Sequence, residues 1–248
     1  MTLSRLIRAE LRKLTSTRMP WAFLAVLVVT SAITAGAVAF GTDMDGSKAF
    51  IATAEDQQSL TAFAANAMMI AGLFGAMAVA REYGHGTVVP MFLTEPRRNR
   101  AVLAQFTAVL VGGGVLGFVG AALTVAAVAL SLTATEFGFL VPAGGVAQVI
   151  AASTYAGAAG ALLGAGIGAV VRNSGGAVAG AVLALVIAPP LVVQLSTEAA
   201  SWVPNTLNTV VSGVTDEVGV LAALAALAAW AIVPAAIGLV AVQRRDVV

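Results

Sequence analysis

The 248-residue chain has no cysteine, one histidine and two lysines. Without cysteine, disulfides, thiolate metal sites and cysteine nucleophiles are excluded. His85 alone cannot build a multi-histidine metal site. Neither lysine, Lys13 or Lys48, follows a glycine, and no G-x-x-x-x-G-K-[ST] segment is present. The chain therefore binds no ATP through a P-loop. No H-E-x-x-H run or paired intramembrane aspartates point to a protease, and no motif supports a dyad between His85 and a serine. No catalytic and no metal-ligating residues are assigned. Charge is also scarce, at 10% of residues, against about 25% in soluble domains.

Apolar residues make up 59% of the chain. They gather in runs near 20–41, 60–80, 101–132, 146–171, 177–196 and 219–242. A bilayer crossing needs roughly 20 such residues, so the runs predict six transmembrane helices and an all-α membrane protein, with residues 1–248 as a single transmembrane domain. The run from Trp21 to Phe40 exceeds a secretory h-region of about 7–15 residues and is expected to be a retained span. No run carries a clear ionisable residue at mid-depth. Their polar groups are Asn66, Gln105, Gln148, Ser153, Thr154, Tyr155 and Gln194. Proton-coupled carriers use buried Asp, Glu or His, which makes a proton-driven carrier the weaker reading.

Six spans with both ends on one side collect twelve of the thirteen cations there: Arg5, Arg8, Arg12, Lys13, Arg18, Arg81, Arg97, Arg98, Arg100, Arg172, Arg244 and Arg245. Only Lys48 falls opposite. Cytoplasmic loops hold excess Lys and Arg, so both termini are expected in the cytoplasm. The acids lean the other way. Asp43, Asp45, Glu55, Asp56, Glu136, Glu198, Asp216 and Glu217 fall outside, and Glu10, Glu82, Glu95 and Asp246 inside.

Residues 2–18 read as an amphipathic helix, with Leu3, Leu6, Ile7, Leu11 and Leu14 at helical spacing among Arg5, Arg8, Arg12 and Lys13. Such a helix lies in the interface and meets membrane lipid. A basic flank that only sets topology is the other reading, and the two are compatible. The third run is too long for one straight crossing, so its first turns lie at the inner surface or its helix tilts. Gly160, Gly164 and Gly168 on the fourth run have small-xxx-small spacing, which suits close packing within one subunit. Pro189-Pro190 should kink or break the fifth. Residues 197–218 form an interfacial loop with Trp202 at headgroup depth, or dip back into the membrane.

The inner segment 81–100 runs Arg81-Glu82-Tyr83-Gly84-His85-Gly86-Thr87, then an apolar stretch from Val88 to Leu93, then Pro96 and a basic cluster. The stretch is too short to span. It lies on the membrane or fills a groove on a soluble partner as a short helix.

Three features carry a family resemblance: the basic opening AELRKLTSTR before the first span, the E-Y-G-H-G-T … P-R-R run after the second, and the G-A-V-V-R-N-S end of the fourth with the terminal R-R-D-V. The chain resembles an integral membrane permease of a bacterial ABC-2 type transporter, and its Ala-Val-Gly-rich composition suggests an actinobacterium. The resemblance implies a multi-pass subunit of the bacterial cell membrane. It pairs with a second permease, as a homodimer, and two copies of a cytoplasmic ABC ATPase hold ATP and Mg2+. No cofactor in this chain and no nucleic-acid partner are expected. Matching the family's E-x-x-x-G-T segment, Glu82, Gly86 and Thr87 belong to a cytoplasmic coupling helix between spans two and three. Glu82 caps or anchors that helix at the ATPase surface, and Arg97 and Arg98 sit at the same contact or at lipid phosphates. A pathway along the first, second and fifth spans has Asn66 and Gln194 as its polar lining. Export of a drug, lipid or lipid-linked molecule is the implied function. The alternatives are a membrane anchor or immunity protein that moves nothing, and the proton-driven carrier.

Overall fold

The computed structural model describes residues 2–244 except Asp45 and Pro96, without the side chains of Thr94 and Thr197. The expectations for Asp45, Pro96, Arg245, Asp246 and the terminal R-R-D-V lie outside the described residues.

The described residues form twelve α-helices and no strand. In chain order they are α1 (Leu3–Thr15), α2 (Met19–Phe40), α3 (Ala54–Ala64), α4 (Met68–Gly84), α5 (Val88–Thr94), α6 (Arg98–Leu132), α7 (Ala143–Val171), α8 (Ser174–Val182), α9 (Ala188–Leu195), α10 (Thr197–Ala200), α11 (Pro204–Val211) and α12 (Val220–Arg244). Six helical units are long and apolar enough to cross a membrane: Met19–Phe40, Ala54–Gly84, Arg98–Leu132, Ala143–Val171, Ser174–Leu195 and Val220–Arg244. The chain is an all-α membrane protein.

α7 is the hub, with α4, α6 and α12 packed around it. α2 lies on α6, and α8 lies on α4. Glycine lets these backbones meet. A Cβ at Gly164 would fall on the Gly72 carbonyl of α4, one at Gly75 on the Ala161 carbonyl of α7, and one at Gly117 on the Ser153 carbonyl. With no hydrophobic drive between helices in lipid, close contact of this kind supplies the association. The predicted small-residue seam on α7 thus packs inside one chain.

Three elements depart from the expected spans. The second begins at Ala54, well before residue 60, and is broken at residues 65–67 between α3 and α4. Thr53 and Asp56 form a capping box that starts α3. The fifth does not break at its proline pair. A π-helical turn, Leu183–Ile187, joins α8 to α9. Pro189 and Pro190 cannot donate to the carbonyls four residues back, and the wider turn absorbs that loss. Residues 197–218 are not a simple loop, because α10 and α11 lie within them. α11 packs on α12 and α7 with Leu207, Asn208 and Val210 buried. Trp202 is half-exposed, and its carbonyl accepts from Trp230 Nε1 at 3.0 Å.

The cation-bearing ends meet at one end of the bundle. Arg81 Nη1 reaches Met19 Sδ at 3.5 Å, and Arg172 Nη2 lies 3.4 Å from the Ala241 carbonyl. Lys48, the lone cation of the other end, donates to the Ala39 carbonyl at 2.7 Å. It thereby satisfies the C-terminus of α2, where a cation is favoured by the helix dipole.

Candidate functional site

Two places gather the residues singled out in the sequence. The first is the basic end. α4 stops at Gly84, and Gly86 turns the chain with φ of +68°, a conformation other residues resist. Thr87 is the N-cap residue of α5. Its hydroxyl donates to Glu82 Oε2 at 2.5 Å. Glu82 is 7% exposed, so it is buried and not on an open surface. Its other oxygen, Oε1, pairs with Lys13 Nζ at 3.3 Å. Lys13 also pairs with Glu10, three residues earlier on α1. Burial pushes the Glu10 carboxyl above the ordinary carboxylate range, and Lys13 opposes that rise. The N-terminal helix and the start of α5 are therefore joined through one glutamate.

Arg98 packs over the Phe92 ring at 5.6 Å, and Arg97 is exposed. Arg100 lies 3.7 Å from the buried Glu95. α5 buries Val88 but leaves Val89 46% and Leu93 77% exposed. These two are four residues apart and share one helix face. A cavity of ≈ 320 Å³ lies under α5, lined by Glu10, Lys13, Glu82, Met91 and Glu95 among others.

Two partners here have roles that the sequence does not show. Lys13 reads there as a topology cation and as part of the interfacial helix, not as the partner of Glu82. Arg172 stands at the end of α7 with φ of +58°, the only positive φ among the described non-glycine residues. Its guanidinium lies 5.1 Å from the centre of the Tyr83 ring, next to Glu82. With its contact to Ala241 it ties α7, α4 and α12 together. In the sequence Arg172 is marked by its place in the G-A-V-V-R-N-S run, before Asn173 in a short turn.

The second place is a lateral cleft of ≈ 440 Å³. It is lined by Phe63, Asn66, Met69, Leu185, Pro189 and Asn205 among others. The break in span two, the π-helical turn of span five and the start of α11 all meet there. Asn66 Oδ1 accepts from the Met68 amide at 3.1 Å, which starts α4. Asn66 Nδ2 donates to Asn205 Oδ1 at 2.8 Å. Gln194 does not line this cleft. It is exposed on α9, so the structure does not bring the two expected pathway residues together.

No cluster of three or more His, Cys, Asp or Glu suited to a metal occurs among the described residues. No curated protein matches the chain significantly. A family model described as ABC-2 family transporter protein matches residues 6–190. That stretch holds α1 from Leu6 onward, the Glu82–Thr87 segment, α5 and the π-helical turn, and the chain belongs to the ABC-2 family of transporter proteins.

Proposed function

We propose that this chain is the permease subunit of an ATP-driven exporter whose ATP and Mg2+ are bound by a separate cytoplasmic ABC ATPase. The observation that carries the reading is α5. It is a short helix with an exposed apolar face, and its N-cap residue is held by a buried glutamate that is itself paired to α1. An exposed apolar ridge on a rigid base fits a groove on a soluble partner. The chain has no P-loop of its own, so the energy enters from that partner.

Closure of two ATPase subunits pushes on α5. Thr87, Glu82 and Lys13 pass the displacement to α1 and α4, and Tyr83 and Arg172 pass it to α7 and α12. The cavity under α5 gives that helix room to rock. Packed helices have discrete arrangements, so the motion shifts spans as rigid bodies. Arg97 and Arg98 flank the contact. The cation-rich end is the cytoplasmic face by the charge rule.

The first and fifth spans bury least of their surface in the chain, 17% of residues in each. Both flank α4, where Phe23 of α2 meets Phe74 edge-on at 5.5 Å. By resemblance to the family the second copy packs along spans one, two and five, and the low burial of spans one and five supports that homodimer face. Gln194, exposed on α9, lies on that face. Outer segments without a separate capture lobe favour export.

Glu82→Ala tests the coupling role. It removes a charge-assisted bond at each carboxylate oxygen, a loss of roughly 1.5–3 kcal/mol per bond. The variant is expected to reach the membrane, while transport falls and ATP hydrolysis by the partner continues. Unchanged transport contradicts a coupling role for Glu82.

A further inference from the structure

Another opening lies between α6 and α12, an apolar groove of ≈ 330 Å³ with Leu162 of α7 between its walls. Leu103, Thr107 and Leu110 stand in one wall, Ile232 and Leu239 in the other. Thr107 is the one polar lining residue, and its hydroxyl donates to the Leu103 carbonyl at 2.7 Å. The walls thus offer an occupant little but hydrocarbon. Spans three, four and six supply every lining residue. The groove is therefore separate from the face along spans one, two and five.

Three helices agree on its depth. At ~1.5 Å per residue, Leu103 and Leu110 lie about 8 and 18 Å along α6 from Arg98. Leu239 and Ile232 lie about 8 and 18 Å along α12 from Arg244, and Leu162 about 14 Å along α7 from Val171. Half of a hydrocarbon core ~30 Å thick is about 15 Å. The groove thus occupies one leaflet, the one at the cation-bearing end. A membrane-crossing helix of another protein needs a seam through the full thickness. A lipid acyl chain fills one leaflet.

The mouth of the groove is polar and positive. Asn99 and Arg100 stand one turn before Leu103 on its helix face. Gln243 stands one turn after Leu239, with Arg244 beside it. Asn99, Gln243 and Arg244 are exposed. The acids described at this end are already met, Glu10 and Glu82 by Lys13 and Glu95 by Arg100. Positive charge is left in excess around Arg97, Arg98 and Arg244. Arginine stems lie along apolar surface while their heads stay at headgroup level, and basic pockets between membrane helices suit anionic headgroups.

We propose that the groove between α6 and α12 seats one anionic phospholipid. Its acyl chain runs along Leu110 and Ile232 over Leu162. Its phosphate meets Arg244, with the side-chain amides of Asn99 and Gln243 as further donors. A zwitterionic lipid brings the same chain but no net charge for the arginine to offset. The seated lipid bridges α6 and α12, each of which packs on α7. The binding does not rest on the permease reading.

Photolabelling tests it. Full-length protein in phosphatidylcholine vesicles receives a small, equal mole fraction of phosphatidylglycerol or phosphatidylcholine, each with a diazirine in the same acyl chain. Adducts are mapped by peptide mass spectrometry. The phosphatidylglycerol is expected to label segments 103–110 and 232–239 about five-fold more than the phosphatidylcholine, as one arginine near a headgroup gives. Arg244→Gln should bring the two lipids to parity. Ala236→Trp places a ring in the groove from an exposed wall position and should cut its adducts several-fold. Ile237→Trp, exposed on the next position outside the groove, should leave them unchanged. If Ala236→Trp fails to fold, Arg244→Gln at its exposed position carries the test. Equal labelling by the two lipids, as in an ordinary lipid annulus, overturns the proposal. So does a preference that survives Arg244→Gln, or labelling that a folded Ala236→Trp leaves undiminished. Segments left unlabelled by both lipids, as under a second copy of the chain, overturn it as well.

Discussion

Lys13 and Arg172 make contacts at the residue scale that the short motifs around them do not specify. Lys13 holds Glu10 and Glu82 together, so one cation lies between two largely buried acids and offsets one of their two charges. Arg172 accepts a left-handed backbone at a cost of roughly 1–2 kcal/mol in order to lie over Tyr83. The contact returns about 0.5–2 kcal/mol where water is excluded. Arg172→Gly removes both the strain and the contact, whereas Arg172→Ala keeps the strain and loses the contact. Thermal unfolding in detergent should therefore find the glycine variant the more stable of the two by about 1 kcal/mol. Equal stability would show that the backbone at 172 is relaxed. Glu82, Gly86 and Thr87 were legible in sequence as a unit. The burial of Glu82 was not, because its partner Lys13 lies far away in the chain and only folding brings Lys13 within reach of it.

Helices were read from the chain with fair accuracy where apolar length decides them, and poorly where tertiary contact does. The proline pair at 189–190 announced a disturbed fifth span, and the π-helical turn just before it is how the helix continues. The break at 65–67 carries no proline or glycine. It is stabilised by Asn66, whose partner Asn205 is 139 positions away, so local propensity could not reveal it. The glycines of α7 were legible as a seam. Gly164→Leu should displace α4 from α7, because its Cβ would fall on the Gly72 carbonyl. Overpacking of this kind costs about 1–3 kcal/mol or more. Gly144→Leu, on the same helix with open space around it, should be tolerated. Folded yield by size-exclusion chromatography compares them, and equal yields would mean that the α4–α7 seam is loose.

The whole molecule is polar in the mechanical sense. Eleven described cations, the buried Glu10–Lys13–Glu82 cluster and the α5 ridge gather at one end of the bundle. An uncharged cleft opens towards the other. Charge asymmetry made the first half of that layout readable from sequence, since it needs only span counting. The cleft needs the fold, because its walls come from segments far apart in the chain. The central claim is that an ATPase drives this chain through α5. The direct measurement is ATP hydrolysis by the co-purified ATPase in proteoliposomes, with wild type against Leu93→Asp. Leu93 is among the most exposed apolar side chains and takes no part in the Glu82 cluster, so the variant should fold and insert normally. The account predicts that the wild-type chain binds the ATPase and stimulates hydrolysis, and that Leu93→Asp loses both. Binding and stimulation unchanged in Leu93→Asp would contradict it.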